Sequence, residues 1–223
     1  MKKIILSLLF LSTLTIFSCK KESTAQGEEN ATVIDSKKQE GTEVYGVNTS
    51  ESIINWTGSK PTGKHSGTIA LKDGEIGVSD GKIVSGKFTL DINSITVTDL
   101  KPGDGKEDLE SHLKGTGDKK EQDHFFNVKK YPTGMFVINK VEFENEKTIV
   151  YGNLSLKNVT KAVNFPANIS ITDSLVTLES EPLMINRTYW HINYGSKSIF
   201  SDLKDKFVND DVEIMVNVKA TKK

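Results

Sequence analysis

Residues 162–171 alternate with period two. Val163, Phe165, Ala167, Ile169 and Ile171 share one face, while Asn164, Pro166, Asn168 and Ser170 share the other. The same rhythm sets Val212, Ile214, Val216 and Val218 against Glu213, Met215, Asn217 and Lys219. It recurs with Val84, Phe88, Leu90 and Ile92 against Ser85, Lys87, Thr89 and Asp91, and Ile54 and Trp56 open a further set. Such alternation marks strands with one apolar face and one wet face. Turn chemistry separates the runs. Asp73-Gly74 and Asp80-Gly81 are hairpin dipeptides, because both residue types accept the left-handed backbone of a tight turn. Asn145-Glu146, Asn158 and Asp173-Ser174 supply further turns. A spacing of roughly 8–14 residues per strand predicts an antiparallel meander of about eight strands. Eight antiparallel strands can close into a barrel wide enough for one small ligand, and closure removes exposed edges. The expected class is therefore all-β.

Residues 99–130 break the pattern with glycines, charges and little alternation. Within them, 107–114 and 121–128 read as short helices, and Phe125 and Phe126 are placed to dock on the barrel. A long excursion in a compact domain is often functional, as a lid or mouth cover.

The start of the chain has a different character. Met1-Lys2-Lys3 is basic, and residues 4–17 are nearly continuously apolar. That run is shorter than the roughly 20 residues a spanning helix needs, so it reads as a cleaved export signal. Cleavage after Ser18 exposes Cys19, the only cysteine in the chain. Ile16-Phe17-Ser18-Cys19 resembles a bacterial lipobox, in which the cysteine is lipidated; Phe17 is bulkier than that pattern usually carries. With one cysteine no intrachain disulfide forms, and the domain must be stable through its core alone. Residues 20–43 are polar, with Val33 and Ile34 their only large apolar side chains. They read as a flexible tether, with an average reach of roughly 25–30 Å. The expected organisation is a signal at 1–18, an anchor and linker at 19–43, and one domain at 44–221. Loss of Lys2 and Lys3 leaves 27 basic and 30 acidic side chains, a net −3. With no basic stripe, nucleic-acid binding is not expected. Lys20 lacks the acidic character of the inner-membrane retention signal of enteric bacteria, so the expected location is the periplasmic face of the outer membrane or the cell surface.

An ordered set of short segments runs through the domain. It opens with Tyr45-Gly46-Val47-Asn48, Ser52-Ile53-Ile54-Asn55-Trp56-Thr57-Gly58 and Gly63-Lys64-His65-Ser66-Gly67-Thr68. It continues with Gly81-Lys82-Ile83-Val84-Ser85-Gly86-Lys87-Phe88, His112-Leu113-Lys114, Phe125-Phe126-Asn127-Val128 and Lys130-Tyr131-Pro132-Thr133. Gly152-Asn153-Leu154-Ser155-Leu156, Val159-Thr160-Lys161, Asn186-Arg187-Thr188 and Tyr194-Gly195-Ser196 complete it. The ordered set resembles the YceI-like family of bacterial periplasmic lipid-binding proteins. Asn48 stands where the family usually has aspartate and Asn158 where glycine is common. Residues 115–124 are longer than usual. The resemblance implies a lipocalin-like antiparallel barrel whose tunnel holds a long apolar chain: an isoprenoid, an isoprenoid quinone or a fatty-acid derivative. No enzymatic activity is expected, and no cofactor besides that lipid. Homodimers are common in the family.

The apolar candidates for the tunnel wall are Trp56, Val84, Phe88, Leu90, Phe136, Leu154, Leu156, Val163, Phe165, Ile169, Ile214 and Val216, which would otherwise fill a solid core. Burial in such a wall removes a lipid chain from water at about 25 cal/mol per Å². A polar headgroup needs a few fixed partners at the mouth. Arg187, the only arginine, suits phosphate or carboxylate through its planar fork; the alternative is a structural ion pair or loop cap. His65 and His112 are further headgroup candidates, or else histidines that steady turns. No HExxH, G-x-S-x-G, GxGxxG or P-loop pattern occurs. No metal site is expected, although His112 and His124 with Asp123 could converge on folding. A filled barrel serving as an envelope interaction or stress module is the alternative function.

Overall fold

A computed structural model describes residues 41–223; the predicted signal and all but the end of the tether lie outside them. Ten strands run in chain order: β1 (Glu43–Val47), β2 (Ile53–Lys60), β3 (Gly63–Ser79), β4 (Lys82–Val97), β5 (Thr133–Glu144), β6 (Lys147–Leu156), β7 (Val159–Ile171), β8 (Leu175–Ser180), β9 (Leu183–Asn186) and β10 (Asp211–Lys222). All pair antiparallel, and β10 closes the sheet by pairing with β2 on one side and β8 on the other. Two positions in the ring are each shared by consecutive strands. β1 and β2 both pair β10 and β3, and β8 and β9 both lie along β10. Ten strands therefore fill eight positions, which is the lipocalin-like barrel expected.

Tight turns set the meander. Asp80-Gly81, Asn145-Glu146 and Lys157-Asn158 all have positive φ, the conformation that matches the right-handed strand twist in two-residue hairpins. Asp73-Gly74, in contrast, makes no turn. It lies inside β3 beside a register shift between Leu71 and Asp73. A Cβ on Gly74 would sit 2.9 Å from Val47 and 3.0 Å from the Lys87 carbonyl, so this glycine serves close approach. The bulge also switches the inward set of β3 from Ile69 and Leu71 to Ile76 and Val78.

The barrel has a packed end and an open end. Tyr45, Ile76, Ile138, Val150, Val176 and Ala220 are at most 1% exposed and plug the end where β1 enters. The 99–130 excursion covers the other end. Its helix α1 (Lys106–Lys114) matches the expected one and buries Leu113; Gly115 ends it in the left-handed conformation. Residues 121–128 form no α-helix; only Glu121 is helical, as the end of a single 3-10 turn at Lys119–Glu121. The amides of Phe126 and Val128 bond the Leu113 and Lys114 carbonyls at the end of α1, and Asn127 has φ 49°. Capping the exposed helix end satisfies those groups, and a local helix could not do so as well.

Candidate functional site

The open half of the barrel encloses an apolar cavity of about 410 Å³, within the range of small-molecule sites. Its wall is built strand by strand from inward positions. Phe88 on β4, Phe136 on β5 and Phe165 on β7 form a run of rings with centroids 6.3 and 5.8 Å apart. Gly152 on the intervening β6 makes this possible, since a Cβ there would lie 2.3 Å from the tip of Phe136. Trp56 lies over Gly67 in the same way: a Cβ on Gly67 would come within 2.5 Å of the indole and 1.9 Å of the Thr96 carbonyl.

Ten of the twelve expected wall residues line this cavity: Trp56, Phe88, Leu90, Phe136, Leu154, Leu156, Val163, Phe165, Ile214 and Val216. Val84 does not. Val78 pairs Ile83 and Gly77 pairs Ser85, so Val84 is the extra residue of a bulge and Ile83 takes the inward place. Ile169 has the inward phase and pairs Leu178, which does line the cavity, but Ile169 itself is only partly buried and packs on the core instead.

Two covers meet over the mouth. One is α1 with Phe125 and Phe126. The other is the 187–208 segment, which contributes Arg187, Trp190, Ile192, Tyr194 and Val208 to the lining. They are joined by rings and one lysine. His112 Nε2 and His124 Nδ1 lie 2.8 Å apart, and the Tyr194 ring sits 4.6 and 4.5 Å from the two imidazoles. Lys157 Nζ donates to the carbonyls of Phe125, at 2.7 Å, on one cover and His191, at 3.2 Å, on the other. Burial pushes the Lys157 pKa down, against the opposing pull of Asp123. Burial likewise lowers His112, partly offset by Glu121 and reinforced by His124. Sequence reasoning missed Lys157, which reads only as part of a turn, and the joint it makes depends on contacts 32 and 34 residues away.

The three headgroup candidates fall in different situations. Arg187 lines the cavity but is 4% exposed, and each of its three guanidinium nitrogens donates to a backbone carbonyl. Nε donates to the Asn209 carbonyl at 3.0 Å, Nη1 to Ile192 at 2.5 Å and Nη2 to Val208 at 3.0 Å, with Asp210 at 3.6 Å. It clamps the base of the 187–208 cover, which is the structural alternative and not a free headgroup ligand. His112 is occupied by His124. His65, on the rim, bonds Asp99 at 2.9 Å through Nδ1, leaving Nε2 as its remaining polar atom. Asp123 bonds Asn127 at 2.7 Å and does not join the histidine pair. Among the described residues no group of three or more His, Cys, Asp or Glu could hold a metal ion.

Known proteins share this architecture. The structure of BcnA from Burkholderia cenocepacia superposes with a TM-score of 0.58 at 22% identity, over 78% of this chain and 99% of that one. A polyisoprenoid binding domain from Saccharophagus degradans, implicated in plant cell wall breakdown, superposes with a TM-score of 0.55 at 13% identity, over 80% and 98%. At these identities the likeness is one of fold. No curated protein sequence matches the chain. The YceI-like domain model matches residues 45–220, the whole barrel from its first strand to its last, so the chain belongs to the YceI-like domain family.

Proposed function

We propose that this protein binds one long apolar lipid in its barrel and carries, stores or scavenges it in the bacterial cell envelope. The isoprenoid, isoprenoid quinone and fatty-acid classes all fit the reading. The observation that carries it is the cavity itself: about 410 Å³, walled by aliphatic and aromatic side chains between the plug and the two covers. Burial of apolar ligand surface there contributes about 25 cal/mol per Å². The S. degradans domain, of the same fold, is described as binding polyisoprenoids, which supports the class. The cavity favours a carrier over the filled-barrel module, which needs a packed interior. The predominantly apolar wall supports a binding role over an enzymatic one. His65 is the remaining headgroup candidate at the rim. Lipidation of Cys19 would hold the domain at the membrane.

Native mass spectrometry with lipid extraction tests the reading on residues 41–223 expressed in a bacterial host. That fragment contains every strand of the closed sheet and its core. The expected result is a stoichiometric adduct that releases one long-chain lipid. Val163→Phe fills the cavity wall and should abolish the adduct while leaving the fold intact. A bare protein that also takes up no added isoprenoid or fatty acid would sink the carrier reading.

A further inference from the structure

We propose that residues 194–207, the tip of the 187–208 cover, form a docking surface that inserts into a lipid bilayer. Seven large apolar side chains are exposed among the described residues, and four of them, Tyr189, Tyr194, Ile199 and Phe200, lie on this one cover. Ile199 and Phe200 are adjacent, 46% and 48% exposed, and supported from beneath. The Phe200 amide bonds the Ser196 carbonyl at 2.9 Å, the Val208 amide bonds Gly195 at 2.8 Å, and Arg187 clamps the base. The pair is thus displayed on a braced loop. Exposed tyrosines beside it suit the headgroup level, where an amphipathic ring has one apolar and one wet end.

Charge favours a lipid surface and sets the tilt. Lys197, Lys204 and Lys206 against Asp202 and Asp205 give the tip a net +1. The opposite cover, residues 101–123, has five lysines against seven carboxylates, a net −2, so an anionic membrane would turn it away. The domain would therefore rest on the 194–207 tip, beside the mouth of the cavity, rather than on α1.

The chain's own geometry permits this pose. Glu43 enters at the plugged end, opposite the mouth, paired with Val78. β3 has 17 residues, and a strand of that length tilted as in a barrel stands roughly 40 Å tall along the axis. Residues 20–43 can span at most about 80 Å. An anchor at Cys19 thus leaves enough chain for the mouth to turn back to the same bilayer. Mouth-down docking would let an apolar molecule pass between membrane and cavity without crossing water. The docking surface does not depend on the ligand reading, because lipid retention and membrane binding are separate readouts.

The test is vesicle flotation of residues 41–223, without the anchor, on phosphatidylcholine vesicles and on vesicles with added phosphatidylglycerol. The protein should float with both, with about a fivefold preference for the anionic ones, as a net +1 implies. Ile199→Asp/Phe200→Asp should reduce partitioning by at least about thirtyfold, the loss of two half-exposed large side chains. Its circular dichroism and its ligand content should stay unchanged. Phe143→Asp is the control: Phe143 is 75% exposed at the plugged end, and its loss should not affect flotation. Wild-type protein that floats with neither vesicle would overturn the proposal and assign the tip to a protein partner. So would a double variant that floats like wild type, or an equal loss from Phe143→Asp, which would indicate non-specific adhesion.

Discussion

Arg187→Met separates two roles that a lone arginine at a cavity wall could play. In the structure this side chain holds three carbonyls, those of Ile192, Val208 and Asn209, and faces Asp210. Methionine keeps the apolar stem and removes every donor. One buried and two partly buried carbonyls then lose their donor and Asp210 loses the adjacent charge, and breaking such a set costs about 4 kcal/mol. Lysine offers a compact charge without the fork, so Arg187→Lys should cost about half as much, roughly 2 kcal/mol. For a domain of this size the urea dependence is about 2 kcal/mol per M, so the unfolding midpoints should fall by about 2 M and 1 M. Urea titration followed by tryptophan fluorescence reads both, because Trp190 lies on the cover that Arg187 clamps. A methionine variant with an unshifted midpoint that nevertheless loses its lipid would refute the clamp and restore Arg187 as a headgroup ligand.

Two further outcomes follow from the same geometry. Gly67→Ala drives a methyl group to 1.9 Å from the Thr96 carbonyl and onto Trp56, so overpacking should cost about 3 kcal/mol in urea unfolding; a neutral substitution would mean that the indole does not lie over β3. Stability should also fall as pH drops below the ordinary histidine value of 6.5. Burial lowers the His112 pKa in the folded state, so the unfolded chain takes up the proton first and gains on the folded form over that window. Midpoints should be lower at about pH 5.5 than at pH 7.5, and His112→Asn should flatten that difference; an unchanged slope would remove His112 as its source.

Local pattern went far here, and its failures have specific causes. Alternation placed Phe88, Leu90, Val163 and Phe165 on the cavity wall, because in a regular strand side-chain direction is a property of the backbone alone. It misplaced Val84, because a bulge inserts one unpaired residue and reverses the phase. Asp73-Gly74 has hairpin composition, but β3 continues through it because Val47 and the β4 backbone approach there. Ile169 has the right phase and stands level with Leu178, a wall residue, yet stays partly buried against the core. Which inward side chains reach the cavity depends on their cross-strand packing, which alternation does not encode.

What the sequence determined by itself is the class of elements, most of the turns, α1 and the apolar face of each strand, since all of these rest on interactions within a few residues. Tertiary structure decided the rest. Closure joins β2 to β10 across some 160 residues, and only that pairing creates an interior. The split into a plug and a cavity follows from β1 entering at one end and two covers closing over the other. The role of Arg187 was open in the sequence because a guanidinium serves a phosphate and a carbonyl cluster equally well. Folding brought Ile192, Val208 and Asn209 around it, and a donor already engaged three times has little left for a ligand.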